Sequence, residues 1–374
     1  MSTAVDGFAP RTVVIHSVGL LGGSIGLALK RSGFTGTIVG LSSDKNVAAA
    51  RSLGCIDEGA SYEDLQSVVR RADLLFLCSP ILAIEETLRR LGGMDLPRGL
   101  VVTDVGSTKR SIVVTARQSL PAHVTFVGGH PMTGSEKSGP SGADPFLFQN
   151  AVWALAAGPG PIPAAPAGLA AFLERYTGCR CLCVPPELHD TVAATVSHVP
   201  HLLAVALVNL AGRTAERAEH TLDLAAGGFR DMTRIASAPY RMWHDIIVTN
   251  RDLIASKLDE YAALLAEMRG RLLAGDLSAD FDRAAATRAT VPSRAKGLAG
   301  PVSDVVVSAP DQPGAIAAIA AALTKASINI KDIEVLRVRE GEGGTIRLAF
   351  DTPSTARRAI EILAAAGFGA RVRE

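Results

Sequence analysis

The most restrictive stretch is TVVIHSVGLLGGSIGLALKR, Thr12 to Arg31. Thr12 to Ser17 is a short apolar, β-branched run, the signature of a strand buried on both faces and so of a parallel sheet. Glycines follow, and then apolar residues at helical spacing: Leu20, Ile25, Leu27 and Leu29. Strand, glycine turn and helix in that order open a dinucleotide-binding unit. Gly19 and Gly22 occupy the second and third glycine positions of the fingerprint, and Ser17 occupies the first. The second glycine admits a pyrophosphate to the backbone, and the third lets the helix lie on the strand. Leu20 and Leu21 then offer their N–H groups to an anion at the helix start. A plain structural turn is the competing reading, so the following units matter.

Thr37 to Leu41 predicts a second strand, ending about twenty residues past the glycines, where the ribose is read. The tip is Ser42-Ser43-Asp44. An acid there favours NAD, whereas Ser42 with Lys45 nearby tolerates the extra phosphate of NADP; NAD is preferred and NADP stays open. Asp73 to Cys78 predicts a third strand, with Ser79 and Pro80 walling the adenosine side. Leu100 to Asp104 predicts a fourth, from whose end Ser107 and Lys109 project into the same crevice; serine also suits a helix N-cap. Val124 to Val127 predicts another short strand, followed by GGHPMTGSEKSG. His130, between Gly128-Gly129 and Pro131, is thus expected just past a strand's carboxyl end, where ligands sit in open α/β sheets. Glu136 lies a few residues on, among small residues that leave room for a ligand. Ala151 to Leu155 predicts one more strand, and a helix over Leu169 to Tyr176 leads to Cys179, Cys181 and Cys183. These three thiols alternate on one strand face without zinc-ligand spacing, so no metal is expected.

The character changes at Pro186. PELHDTVAATVSHVPHLLAVALVNLAGR predicts a long helix, kinked at Pro200, that places Ser197, His198 and His201 at the disrupted turn. Leu202 to Leu210 is apolar on nearly every side and must be buried all round. Arg230, Arg234 and Arg241 cluster in sequence with Trp243, and arginine forks hold carboxylates. A further helix carries Ile254, Leu258, Tyr261, Leu265, Met268 and Leu272 as a seam. Two such apolar helices predict a homodimer. Beyond the linker PSRAKGLAGP, strands and helices in the order βαββαβ predict a ferredoxin-like unit. The expected domains are therefore a Rossmann-like nucleotide domain at 11–184, an all-helical substrate and dimerisation domain at 185–296, and a ferredoxin-like domain at 302–374.

With 20% charged residues and formal net charge +1, the chain lacks the basic surface of a nucleic-acid binder. No apolar stretch reaches membrane length on this reading, and the N-terminus lacks a secretory pattern. Five cysteines without a CxxC pair fit a reducing compartment, with the cytoplasm expected.

The motifs VGLLGGSIG, TDVGSTK, GGHPMTGSEKSG, HDTVAATVSHVPH and GFRDMTRIAS, in that order, resemble the prephenate/arogenate dehydrogenase family of tyrosine biosynthesis with a C-terminal ACT domain. Ser17 departs from the family's glycine, which touches cofactor affinity rather than reaction class. The resemblance implies oxidative decarboxylation of a cyclohexadienol, with His130 as base and Ser107 orienting it. It further implies Arg234 on the ring carboxylate, Ser197 and His201 at the side-chain end, and Glu136 at the edge of the site. For the ACT domain it implies a small amino acid, tyrosine foremost, bound near Asp311, Gly314 and Asn329; a purely structural pairing module is the alternative. An arogenate-specific enzyme is the nearest rival, but no acidic partner for an ammonium group stands out. A 3-hydroxyacid dehydrogenase would need a lysine that PELHDTVAATVSHVPHLL lacks, and a non-catalytic sensor would not need His130, Ser107 and Arg234 together.

Overall fold

The computed structural model describes residues 8–134, 137–156, 164–291, 303–310, 312–339 and 343–372. Glu136, Asp311 and the linker Pro292 to Pro301 lie outside these. The described chain forms two compact units, one running to Leu277 and one starting at Ser278.

The first unit is built on strands β1 (Thr12–His16), β2 (Thr37–Leu41), β3 (Glu58–Ala60), β4 (Leu74–Leu77), β5 (Val101–Asp104), β6 (Thr125–Pro131), β7 (Val152–Ala156) and β8 (Arg180–Val184). They form one sheet in the order β3-β2-β1-β4-β5-β6-β7-β8. The first six are parallel, in the strand order of dinucleotide-binding folds, whose crevice opens where the order reverses between β1 and β4. β7 runs antiparallel to β6, and β8 follows β7. The connecting helices are α1 (Leu20–Arg31), α2 (Asp44–Ser52), α3 (Leu65–Val69), α4 (Ile81–Gly92), α5 (Arg110–Ser119) and α6 (Ala164–Thr177). They cover both faces, which is why β1 is apolar at every inner position. Val13 and Ile15 pack with Ile25, Leu29 and Phe76, while Val14 packs oppositely with Leu75, Leu88 and Val102.

β1 stops at His16, one residue earlier than expected, because Ser17 turns into the left-handed region at φ 71°. That conformation costs a non-glycine residue roughly 1–2 kcal/mol. The Ser17 hydroxyl offsets it through contacts with Tyr62 Oη at 2.9 Å and Ser79 Oγ at 2.5 Å, each worth about 0.5–1.5 kcal/mol net. The serine at the first fingerprint position therefore keeps the turn that glycine would make. Gly22 is fixed by close packing: an added Cβ would stand 2.5 Å from the Ser17 carbonyl oxygen and 2.9 Å from Ile15. In front of Gly19 the same test meets nothing within 4 Å.

The helical half comprises α7 (Pro186–Ala193), a π-helical turn at Ala194–His198, α8 (Val199–Ala215), α9 (Gly227–Thr233), a 3₁₀ turn at Arg234–Ser237, α10 (Tyr240–Thr249) and α11 (Arg251–Ala274). The expected break at Pro200 is a wide turn just before it. A proline offers no N–H to the turn below, and a π turn absorbs the missing bond. The expectation that no stretch reaches membrane length is corrected here, since Pro186–Ala215 is long and apolar enough by composition. Its first turns are instead tied to α5, because Asp190 accepts from the main-chain N–H groups of Lys109 and Arg110. Within the single chain α8 is not buried all round: Leu210 is 62% exposed, as are Leu264, Leu265 and Leu272 on α11 to comparable degrees.

The second unit contains α12 (Ser278–Thr290), which the sequence reading did not anticipate, then β9 (Ser303–Ala309), α13 (Ala315–Lys325), β10 (Asp332–Arg339), β11 (Gly343–Phe350), α14 (Pro353–Ala365) and β12 (Gly369–Val372). The sheet is antiparallel in the order β10-β11-β9-β12, the ferredoxin-like arrangement. Its core joins Val305, Val307, Ile319, Leu348 and Leu363. Arg347 draws Asp304, Asp332 and Glu334 together across β9, β11 and β10.

Because the space at Gly22 is filled by backbone, Gly22→Ala is expected to cost about 1–3 kcal/mol through overpacking. Gly19→Ala should leave stability nearly unchanged. Thermal denaturation of the two variants checks this, and equal Tm values would contradict the packing argument.

Candidate active site

The site is assembled from the carboxyl ends of β5 and β6 and the start of the helical half. Asp104, the last residue of β5, is fully buried and forms an ion pair with the equally buried Lys109. Asp104 also accepts from the N–H groups of Gly106 at 2.8 Å and Gly129 at 3.0 Å, and Lys109 Nζ donates to the Gly129 carbonyl at 2.7 Å. Lys109 therefore does not project into the crevice, as the sequence reading had it. It holds Gly129 from beneath. The glycine is needed for close approach, since a Cβ there would stand 2.4 Å from the Asp104 carbonyl oxygen and 2.9 Å from the Trp153 indole nitrogen. Burial lowers the Lys109 pKa, opposed by the charge of Asp104.

β6 does not end at Val127. Its first half pairs with β5, and Gly128 to Pro131 pairs antiparallel with β7, setting His130 opposite Ala154. The imidazole is thus carried on a hydrogen-bonded strand extension, half-buried. Its Nδ1 lies 2.9 Å from Nε2 of His189, whose Nδ1 lies 2.7 Å from Asp190 Oδ1. Burial above all holds the His130 pKa well below the usual imidazole range. Burial thus favours its neutral form.

Ser107 lies half-buried in the loop between β5 and α5. It does not cap α5, because Asp190 does so from α7 through the two N–H groups of Lys109 and Arg110. The same helix–sheet seam is closed by Arg110, which pairs with Asp252 and donates to Asn250. Asn250 in turn donates to the Asp190 carbonyl and to His198 Nδ1. His198 is buried and its pKa falls to about 4, chiefly from desolvation. His201, also buried, stacks on Trp243 with ring centroids 3.7 Å apart. Ser197 is half-buried in the π turn beside them. Arg234 starts the 3₁₀ turn, exposed, and that turn packs against α8, the helix carrying His201.

The candidate nucleotide crevice lies on the β1–β4 side. α1 begins at Gly19 with no side chain capping its N-terminus and no acid in its first turn, so Leu20, Leu21 and Gly22 present unopposed main-chain donors to an anion. With the open space at Gly19, these residues fit a dinucleotide pyrophosphate. Ser42 is buried beside Tyr62, hydroxyls 3.3 Å apart. Ser79 bonds Ser17 and lies 3.2 Å from His16 Nδ1, and Pro80 precedes α4. Asp44 is the exposed first residue of α2.

His189, Asp190, Asn250 and Tyr62 escaped the sequence reading. The adjacent His-Asp pair was visible inside HDTVAATVSHVPH, but nothing in the order of residues joins it to His130, fifty-nine positions away.

Several of these imidazoles are held neutral by burial. His16 falls to about 4, as does His198, and His130 and His201 are lowered too. Their unfolded pKa is about 6.5, so the unfolded chain takes up protons first as pH falls. Stability is therefore complete above about pH 6.5 and is lost progressively toward pH 4. Tm measured across that window should decline, and a flat profile down to pH 4.5 would contradict the buried-neutral assignment.

Three sequence models match the chain: the prephenate dehydrogenase nucleotide-binding domain over residues 25–161, the prephenate dehydrogenase dimerization domain over 185–283, and the ACT domain over 303–365. The prephenate dehydrogenase of Bacillus subtilis is 36% identical over 358 residues, covering 95% of this chain and 96% of its own. Among solved structures, the A. aeolicus prephenate dehydrogenase in complex with hydroxyphenyl propionate and NAD+ is 29% identical, with TM-score 0.68, covering 75% of this chain and 98% of that one. The Synechocystis arogenate dehydrogenase is 27% identical, with TM-score 0.64, covering 74% and 98%. A Rossmann-like domain, a dimerisation domain and an ACT domain thus follow one another in this chain, which belongs to the prephenate dehydrogenase family.

Proposed function

We propose that the protein catalyses the NAD-dependent oxidative decarboxylation of prephenate to 4-hydroxyphenylpyruvate, a step of tyrosine biosynthesis. The observation that carries this reading is His130: a neutral imidazole on a rigid strand extension, at the end of the sheet that also bears the dinucleotide crevice. The relative solved with NAD+ supports the choice of coenzyme. Gly19, Leu20, Leu21 and Gly22 would hold its pyrophosphate, and Ser42, Ser79 and Pro80 its adenosine side. When bound, the coenzyme supplies the hydride acceptor.

The chain's own residues do the rest. His130 takes the proton of the ring hydroxyl while hydride leaves the same carbon. The carbon–carboxylate bond on the opposite side of the ring then gives its electrons to the ring and releases carbon dioxide, and aromaticity drives the step. Ser107 orients the base and borders the nicotinamide side. Arg234 holds the ring carboxylate, and Ser197 and His201 meet the pyruvyl side chain. A second reading, arogenate as substrate, is favoured by the likeness to the Synechocystis enzyme; it would require an acidic group for the substrate ammonium.

A positioned base contributes ~10²–10⁴-fold in rate, so His130→Asn should collapse turnover while coenzyme still binds. Arg234→Ala should chiefly raise KM. Reduced-nicotinamide absorbance assays with prephenate and arogenate crossed against NAD and NADP check both expectations. Near-normal turnover of His130→Asn, or an unchanged KM in Arg234→Ala, would refute the corresponding role. In the second unit, tyrosine would bind near Asp311, Gly314 and Asn329, where Gly314 in the left-handed region opens α13. Adding tyrosine to the same assay should change the rate; no response would favour a structural pairing module.

The exposed apolar faces of α8 and α11 would be covered by a second copy of the chain, as the dimerisation-domain match supports. Sedimentation velocity should give twice the chain mass, and Leu265→Glu should shift it toward the monomer. A monomeric wild type would refute the pairing.

A further inference from the structure

We propose that His189 and Asp190 are positioning residues that lock His130 as its Nδ1–H tautomer, so that its Nε2 lone pair is the one available to remove a proton. The inference rests on the reading of His130 as the base and adds two residues to it.

The argument begins at the carboxylate. Asp190 is fully buried, and both its oxygens are engaged. Oδ1 accepts from the Lys109 N–H at 2.7 Å, and Oδ2 accepts from the Arg110 N–H at 2.9 Å. Burial pushes its pKa up, but the hydrogen bonds from His189, Arg110 and Lys109 outweigh this and hold it below the usual carboxylate range. An ionised carboxylate only accepts. His189 Nδ1, 2.7 Å from Oδ1, must therefore carry the hydrogen. In a neutral His189 the other nitrogen, Nε2, is then an acceptor, because the bond made by one ring nitrogen fixes the state of its partner. His130 Nδ1, 2.9 Å away, must donate to it, which leaves His130 Nε2 unprotonated.

The alternative is a charged His189 donating to His130 Nδ1. That arrangement would put a hydrogen on His130 Nε2 and disable it as a base. A base at Nε2 therefore requires the first arrangement. Lys109 lies beneath His130, and its cation is already matched by Asp104. The Arg110 guanidinium lies 3.4 Å from Asp190 on the side away from His189. His198 is itself held neutral by burial. Lys109 and Arg110 thus have carboxylates of their own in Asp104 and Asp252, which leaves Asp190 to the two imidazoles. When His130 gains the substrate proton at Nε2, its Nδ1–H bond to His189 strengthens, and the Asp190 charge offsets the new imidazolium. No second proton has to move.

The direct test is long-range ¹H–¹⁵N correlation of ¹⁵N-histidine-labelled full-length protein, with the His130 signals assigned by their loss in His130→Asn. Wild type should show the Nδ1–H tautomer at His130, and His189→Leu should lose that preference. Steady-state kinetics supply the second readout. His189→Leu should lower kcat by about 10–100-fold, with KM for substrate and coenzyme changed by less than about threefold. His189→Gln, whose side-chain carbonyl can still accept from His130, should recover most of the loss. An Nε2–H tautomer in wild type would overturn the proposal, as would a His189→Leu enzyme of normal kcat alongside an inactive His130→Asn. A fully active His130→Asn would instead overturn the reading of His130 as base, so the two failures are distinguishable.

Discussion

The interaction on which the site depends is the buried ion pair between Asp104 and Lys109. A pair taken wholly out of water gains little net stability over apolar residues of the same volume, yet removing one partner costs about 3–5 kcal/mol. What this pair provides is geometry. Every remaining hydrogen-bonding position it uses is spent on the glycines flanking the site: Gly106 after β5 and both polar groups of Gly129 before His130. The loop that carries Ser107 and the strand extension that carries His130 are thereby tied to one fixed charge. The glycines are small because that charge and its backbone stand against them.

A second carboxylate performs the complementary task on the other side of the seam. Asp190 arrives from α7, caps α5, and reaches His130 through His189. The helical half is thus registered against the sheet by main-chain donors of the same turn whose lysine side chain grips Gly129. Arg110, Asn250 and Asp252 close this seam further. Residues nearly 150 positions apart in sequence share one hydrogen-bonded block, which explains how a helical segment without a large core of its own is held against the sheet. Its small buried cluster of Ala194, Val199 and Ile254 would not fix it alone.

The nucleotide crevice shows how a fingerprint survives a substitution. Ser17 adopts the left-handed turn that glycine adopts without strain, and its hydroxyl finds partners in Tyr62 and Ser79. The cost of the turn and the gain of the contacts are of the same order, so the departure at that position leaves the local fold intact. Gly22 is not replaceable on the same terms, because backbone rather than a mobile side chain fills the space beside it.

Local order along the chain determined the layout. Apolar runs of strand length, glycine turns and helical spacing specified the Rossmann-like sheet, the helical segment and the βαββαβ unit, since those patterns act over a few residues and read directly from composition and period. That His130 is held in one place at a strand's end was likewise legible, from Gly128, Gly129 and Pro131 around it. Tertiary structure alone decided that Lys109 points inward, that β6 runs on through His130 to pair with β7, and that a His-Asp pair on a distant helix meets the imidazole. The physical reason is that hydrogen-bond partners and the burial of a charge depend on which segments fold together. Sequence period fixes the face a residue occupies but not what stands opposite it.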